Sequence, residues 1–249
     1  MSGFERPNFG GTPPVVKNLI LINVVMFVAL WVTQSVMRID LNDYLGLYYF
    51  GSDFFRPYQL VTHMFMHGGI SHIFFNMFAL WMFGRVLEQV WGPKRFFVYY
   101  FVTGLGAAFL QSTVNYIEIS ALKSHMTPEQ INTVLQDGYS LWQQGKTFID
   151  PQMAKLCGFL CTPTIGASGA VFGILLAFGM IFPNTELMLL FPPIPIKAKY
   201  FVIGYGVIEL FMGVSNFKFD NVAHFAHLGG MLFGFILIKY WNKRKDIFY

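Results

Sequence analysis

The sequence predicts an all-α membrane protein, a bundle of six transmembrane helices joined by long outer loops. Two observations carry this reading. Of 249 residues, 55% are hydrophobic and only 12% charged. Soluble domains are about a quarter charged, so the chain has too few charges to cover a water-facing globule. The apolar residues also gather into six runs, near 16–37, 70–90, 95–116, 163–182, 199–216 and 222–241. Each approaches the roughly 20 helical residues that cross about 30 Å of hydrocarbon. Helices are required because lipid offers a spanning backbone no hydrogen-bond partner.

Charge placement sets the orientation. With the N-terminus inside, eleven Lys and Arg fall on the cytoplasmic side and six on the outer side, so both termini are predicted to be cytoplasmic. The chain then divides into a tail at 1–15, a membrane domain at 16–241 and a tail at 242–249. The net charge of +4 and pI near 9.0 do not point to nucleic acid, because the basic residues sit at the ends of apolar runs rather than in one patch. Membrane lipids are the expected surroundings. Residues 1–14 are rich in Gly and Pro and precede a run long enough to span, so no cleavable leader is expected. Cys157 and Cys161, four apart, read as free small hydrophobes on one helix face.

The connections differ in length. Residues 38–69 form a long first outer loop rich in Phe and Tyr, suited to the interface. Residues 117–157 form an extracytoplasmic insertion. Within it, Thr127-Pro128-Glu129-Gln130 reads as a helix start, with Thr as N-cap and Gln reaching back. Ile131, Val134, Leu135 and Trp142 follow at helical spacing, which predicts an amphipathic helix lying on the membrane or the protein. Phe191-Pro192-Pro193-Ile194-Pro195 excludes a helix and predicts a cytoplasmic turn.

Polar residues within the spans carry the chemistry, since placing them there costs free energy. Span 4 opens with Gly166-Ala167-Ser168-Gly169. Taken alone, this run is a packing helix whose small residues let neighbours approach. Span 6 adds His227 with Gly230 and Gly234, a Gly-x-x-x-Gly face just beyond the histidine. Small faces on both helices would let Ser168 and His227 meet as a nucleophile and its base. In span 2, His72 and Asn76 are four apart and share a face, offering donors for a developing oxyanion. His63 and His67, also four apart, suit loop ordering as well as a direct role. Glu209 in span 5 is expected to be buried and neutral against a neighbouring helix, with a functional role as the alternative. Metal and cofactor are not expected: His-Glu-x-x-His is absent, and no carboxylate neighbours the histidines in sequence.

Four motifs in order carry a resemblance. Thr62-His63-Met64-Phe65-Met66-His67-Gly68-Gly69 with Ser71-His72 and Asn76, then Gly166-Ala167-Ser168-Gly169, then Ala226-His227-Leu228-Gly229-Gly230, are similar to the signatures of rhomboid intramembrane serine proteases. The likeness covers roughly 16–241. It implies that Ser168 attacks the scissile carbonyl and His227 serves as base and then acid. His72, Asn76 and the Ser168 backbone N–H would form the oxyanion hole. The family uses a dyad without an acidic third member, and the sequence places no Asp or Glu to be one, so packing would orient the histidine. Phe172 stands where the family sets an aromatic ring against the base, without the hydroxyl of the common Tyr. Glu88 and Gly92 match a structural pair. Tyr58-Gln59 replaces the common Trp-Arg, which puts a local anchor of the first loop in doubt.

The implied activity is cleavage of single-span transmembrane protein substrates near the outer membrane boundary, with span 5 and the 217–222 loop as moving parts. The expected setting is a multi-pass integral membrane protein of a bacterial inner or plasma membrane. A non-cleaving relative, a transporter or channel, and a metalloprotease are the rival readings. The sequence does not set the oligomeric state.

Overall fold

Pro14 opens the first helix at a position where its missing N–H costs nothing. The structure, a computed structural model, describes residues 11–188, 193–215 and 223–243. Helix α1, Pro14–Val32, has no side-chain cap of its own and ends in a π-turn at Thr33–Met37. The amides of Val15 and Val16 donate instead to Glu88 Oε1 and Oε2, at 2.9 and 2.8 Å. Glu88 is buried near the end of the second span, so one carboxylate caps α1 and fastens two spans together. A negative group at a helix N-terminus is favoured by the dipole and by the orphaned amides alike.

The loop between spans 1 and 2 folds into short helices, α2 at Asn42–Leu45 and α3 at Gln59–Thr62, followed by a 3₁₀ turn at His63–Phe65. Span 2 comprises α4, Ile70–Ala79, a π-turn at Leu80–Gly84, and α5, Arg85–Trp91. Gly92, at φ 78°, turns the chain into α6, Pro93–Lys123. That helix runs seven residues past the expected end of span 3 and carries the chain into the insertion.

The insertion is a helical hairpin. In α7, Pro128–Gln143, the Thr127 side chain accepts from Gln130 N while Gln130 accepts from Thr127 N, as the spacing predicts. Val134 is buried, whereas Leu135 and Trp142 face outward. A second helix, α8 at Pro151–Cys161, is capped by Asp150. The hairpin and the end of α6 bury a small apolar cluster that includes Ile119, Val134, Leu156 and both cysteines. Those are free thiols.

Span 4 starts later than expected. Thr162–Ala167 is not helical: Leu47 and Thr164 exchange backbone hydrogen bonds of 2.9 and 2.8 Å, which hold this segment extended against the first loop. Helix α9 therefore covers only Ser168–Ile181. At 1.5 Å per residue it is about 21 Å long, too short to span alone. It is buried on nearly every side, as an all-apolar central helix must be.

Strands were not expected, yet the connection after α9 forms a two-stranded antiparallel ribbon, β1 Glu186–Met188 with β2 Pro195–Lys197. Pro195 is tolerated because it begins an edge strand; Phe191 and Pro192 lie outside the described residues. Helix α10, Ala198–Ser215, and helix α11, His224–Lys243, complete the bundle. The 217–222 loop and most of both predicted tails also fall outside.

Among the described residues, four helices are long and apolar enough to cross a membrane by themselves: Pro14–Met37, Ile70–Trp91, Pro93–Lys123 and Ala198–Ser215. With α9 and α11 they make an all-α membrane bundle. Helices α6, α9 and α11 pack most closely on one another. By contrast, α10 leans on α9 and α11 and exposes Ile203, Val207, Ile208 and Phe211 on its outer side.

Glu88→Ala would orphan two amides, that of Val16 buried and that of Val15 half-buried. Unfolding in mixed detergent and SDS should show a stability loss of about 2–4 kcal/mol, and an unchanged midpoint would refute the capping role.

Candidate active site

Helices α9 and α11 meet where neither carries a side chain. A Cβ on Gly230 would collide with the backbone carbonyl of Gly169, so the two backbones are in contact. Gly169 in turn leaves no room for a side chain against Ala107 of α6. Gly234, expected to extend the face toward span 4, packs instead on Tyr99 and Thr103 of α6. The contact brings Ser168 Oγ within 2.8 Å of His227 Nε2. The His227 ring stacks on Phe172, with centroids 4.1 Å apart and planes 7° from parallel.

The other ring nitrogen has a partner that sequence reasoning did not find. His227 Nδ1 lies 2.9 Å from Glu209 Oε2, and His224 Nδ1 lies 2.6 Å from the same oxygen. The expectation that no acid stands behind the histidine is therefore corrected; Glu209 is buried and bonded to a neighbouring helix, as expected, and its partners there are the two histidines. The signal was present as one carboxylate in span 5 and two histidines three apart on one face of span 6. Only the docking of α10 on α11 joins them.

His72 and Asn76 share a face of α4. Asn76 Nδ2 donates to His72 O at 2.9 Å, while His72 Nδ1 accepts from Gly68 N at 3.3 Å. With Nδ1 an acceptor, the neutral ring carries its proton on Nε2. That nitrogen borders Gly166: a Cβ there would lie 2.8 Å from His72 Nε2 and 3.5 Å from Ser168 Oγ. Gly166 also adopts φ 127°, so glycine is required both by the backbone and by the space between the two side chains.

His63 and His67 shape the frame rather than the reacting pair. His63 Nδ1 lies 2.8 Å from Gln59 O, and its own carbonyl accepts from Gly166 N at 2.9 Å. His67 packs edge-on against His72, with ring centroids 4.9 Å apart. Burial pushes both down to about 4, the neighbouring His72 adding to the effect at His67. The anchor put in doubt at Tyr58-Gln59 is supplied by Gln59, only 1% exposed. Its Oε1 accepts from the amides of Tyr48 and Arg56, and its Nε2 donates to the carbonyls of Tyr44 and Phe54.

One cavity of roughly 1430 Å³ is lined by Ser168, His227, His72, Asn76 and Glu209, and elsewhere by apolar groups such as Phe75, Met82 and Leu175. Phe159 of the insertion borders it as well. A hydroxyl bonded to an imidazole, with donors across a shared cavity, has the parts for nucleophilic attack on a carbonyl. Nδ1 of His224, Nδ1 of His227 and a Glu209 oxygen also lie within 4.8 Å of one another, a donor set able to approach a cation.

His63 and His67 resist protonation when folded, whereas an unfolded loop binds protons near 6.5. Loop stability should thus be flat above about pH 6.5 and fall as pH drops toward 4. Amide exchange over residues 59–67, corrected for intrinsic rate, reads this directly; pH-independent protection would contradict it.

The family model for the rhomboid domain matches residues 55–128 and 129–244. Rhomboid protein 1, mitochondrial, of Saccharomyces cerevisiae is 26% identical over 235 residues, covering 92% of this chain and 55% of its own length. RHOMBOID-like protein 12, mitochondrial, of Arabidopsis thaliana is 29% identical over 237 residues, covering 92% and 60%. Rhomboid protease AarA of Providencia stuartii is 24% identical over 242 residues, covering 91% and 72%. The chain spans little more than half the length of the two mitochondrial relatives. With the domain matched across most of its length and the membrane bundle described above, the chain belongs to the rhomboid family.

Proposed function

We propose that this chain is an intramembrane serine endopeptidase. The observation that carries the reading is the 2.8 Å approach of Ser168 Oγ to His227 Nε2 inside a cavity within an apolar bundle. The printed name of the Providencia relative, a protease, supports it. In the proposed reaction Ser168 Oγ attacks the scissile carbonyl as His227 Nε2 takes its proton. The C–N bond then breaks, the proton passes to the leaving amine, and an acyl-enzyme remains on Ser168. Water, deprotonated by the same imidazole, attacks the ester and frees the new carboxyl end.

The developing oxyanion would be met by the Ser168 backbone N–H, His72 Nε2–H and the Asn76 amide. His72 fits this role because its proton faces Gly166 rather than the loop. In a site with little competing water, each donor contributes about 3 kcal/mol. Phe172 limits the rotation of the base by stacking on it.

Substrates in this reading are single-span transmembrane proteins. A peptide carbonyl within a helix is already hydrogen-bonded, so the segment must unwind to reach Ser168. A short α9 that begins at Ser168 is consistent with a nucleophile below one membrane surface only. The excess of Lys and Arg at the opposite loops makes that surface the outer one and puts both termini inside. Cleavage would then fall near the outer boundary of the substrate span.

A fluorophosphonate probe and a reporter transmembrane segment test the assignment. Wild type should be labelled and should cut, while Ser168→Ala and His227→Ala should do neither. His72→Ala or Asn76→Ala should lower kcat by about a hundredfold. A wild type that binds the reporter without labelling or cleavage would instead be a non-cleaving relative.

A further inference from the structure

We propose that Glu209 is a positioning residue for His227, so that this chain works through a serine–histidine–glutamate triad, with His224 as the brace that aims the acid. The inference rests on the serine-protease reading above. A neutral imidazole has one donor and one acceptor. For Nε2 to accept the Ser168 hydroxyl proton, the ring hydrogen must be on Nδ1, and Nδ1 faces Glu209 Oε2 at 2.9 Å. An acceptor at that point selects the competent tautomer.

The same oxygen is 2.6 Å from His224 Nδ1. An ionised carboxylate can accept both N–H groups, whereas a protonated one would have to turn one of them into an acceptor. In the proposed triad both ring N–H groups point at this one oxygen and Glu209 serves as the anion that accepts them; it is 6% exposed. An anion behind Nδ1 stabilises the imidazolium that forms as Ser168 loses its proton. Phe172 constrains one face of the ring and cannot do this, because it offers no acceptor.

Both spacings are those of shared protons. Ligands on a tetrahedral zinc with bonds of about 2.05 Å lie about 3.3 Å apart, so the cluster as built fits a hydrogen-bonded relay better than a metal cage. Acid and base also ride on different helices, α10 and α11. The triad therefore exists only while α10 is docked, and its formation is tied to the helix with the least cover.

The test uses full-length protein in detergent, with kcat and KM on a reporter transmembrane segment and the rate of fluorophosphonate labelling. Glu209→Gln keeps the shape and removes the charge. It should lower kcat and the labelling rate by about a hundredfold or more, leave KM within about threefold, and leave the unfolding midpoint unchanged. Glu209→Asp, which keeps the charge, should recover a measurable part of kcat. His224→Gln should give a smaller loss of the same kind.

Equal kcat and labelling rate in wild type and Glu209→Gln would overturn the positioning role while leaving the serine protease intact. A loss matched by a lowered unfolding midpoint and not recovered by Asp would mark Glu209 as structural only. Activity abolished by a chelator and restored by zinc would assign the cluster to a metal. A wild type that neither labels nor cleaves would remove the protease reading and this inference with it.

Discussion

The site depends on one backbone contact. Where Gly230 of α11 lies against the carbonyl of Gly169 of α9, a single added methyl would occupy the same space as that oxygen. From there, three residues back along α11 is His227 and one residue back along α9 is Ser168. The separation of their side chains follows from the separation of the two helices. In lipid, burial of apolar surface does not by itself drive helices together, since the solvent is equally apolar; close van der Waals packing at small residues does. Helix α6 supplies the third side. Ala107 fills the space beside Gly169, and Tyr99 donates its hydroxyl to Gly173 O at 2.8 Å. Ser168 and His227 thus sit on the most tightly packed part of the bundle, whereas Glu209 sits on α10, at its edge.

The loop between spans 1 and 2 contributes a frame. Gln59 uses its side-chain oxygen and nitrogen on four backbone groups of the loop, and Thr62 Oγ1 donates to Leu45 O at 2.7 Å. His63 then passes this order to the segment before Ser168, because its carbonyl takes the Gly166 amide two residues earlier. Buried polar groups that are fully partnered specify one arrangement, because any other would leave them unsatisfied. This explains how an extended segment with a left-handed glycine can be held rigid beside Ser168. The donors at His72 and Asn76 are then set by α4, where a four-residue spacing suffices to put them on one face.

Much of this was legible because it rests on local rules. Apolar run length locates spans, four-residue spacing pairs His72 with Asn76, and Thr127 to Gln130 announces a capped helix; none needs knowledge of neighbours. Other features escaped because they are made by contacts remote in the chain. The ribbon is set by pairing between residues 186–188 and 195–197. The late start of α9 is set by Leu47, more than a hundred residues earlier. Gln59 reads as an ordinary amide until the carbonyls around it are known. Glu209 read as a carboxylate held by a neighbouring helix, yet its partners could not be named, because they lie 15 and 18 residues away on that helix.

The sequence alone determined the membrane class, the order of the spans and the residues able to do chemistry, because hydrophobicity and helical period act over one or two turns. Only the tertiary structure decided which of those residues touch. A hydrogen bond forms over about 3 Å, a distance set by how helices lean on one another and invisible in their individual composition. For that reason Ser168 and His227 were recognisable as separate motifs, while the carboxylate that turns the pair into a three-membered cluster emerged only once α10 was seen docked against α11.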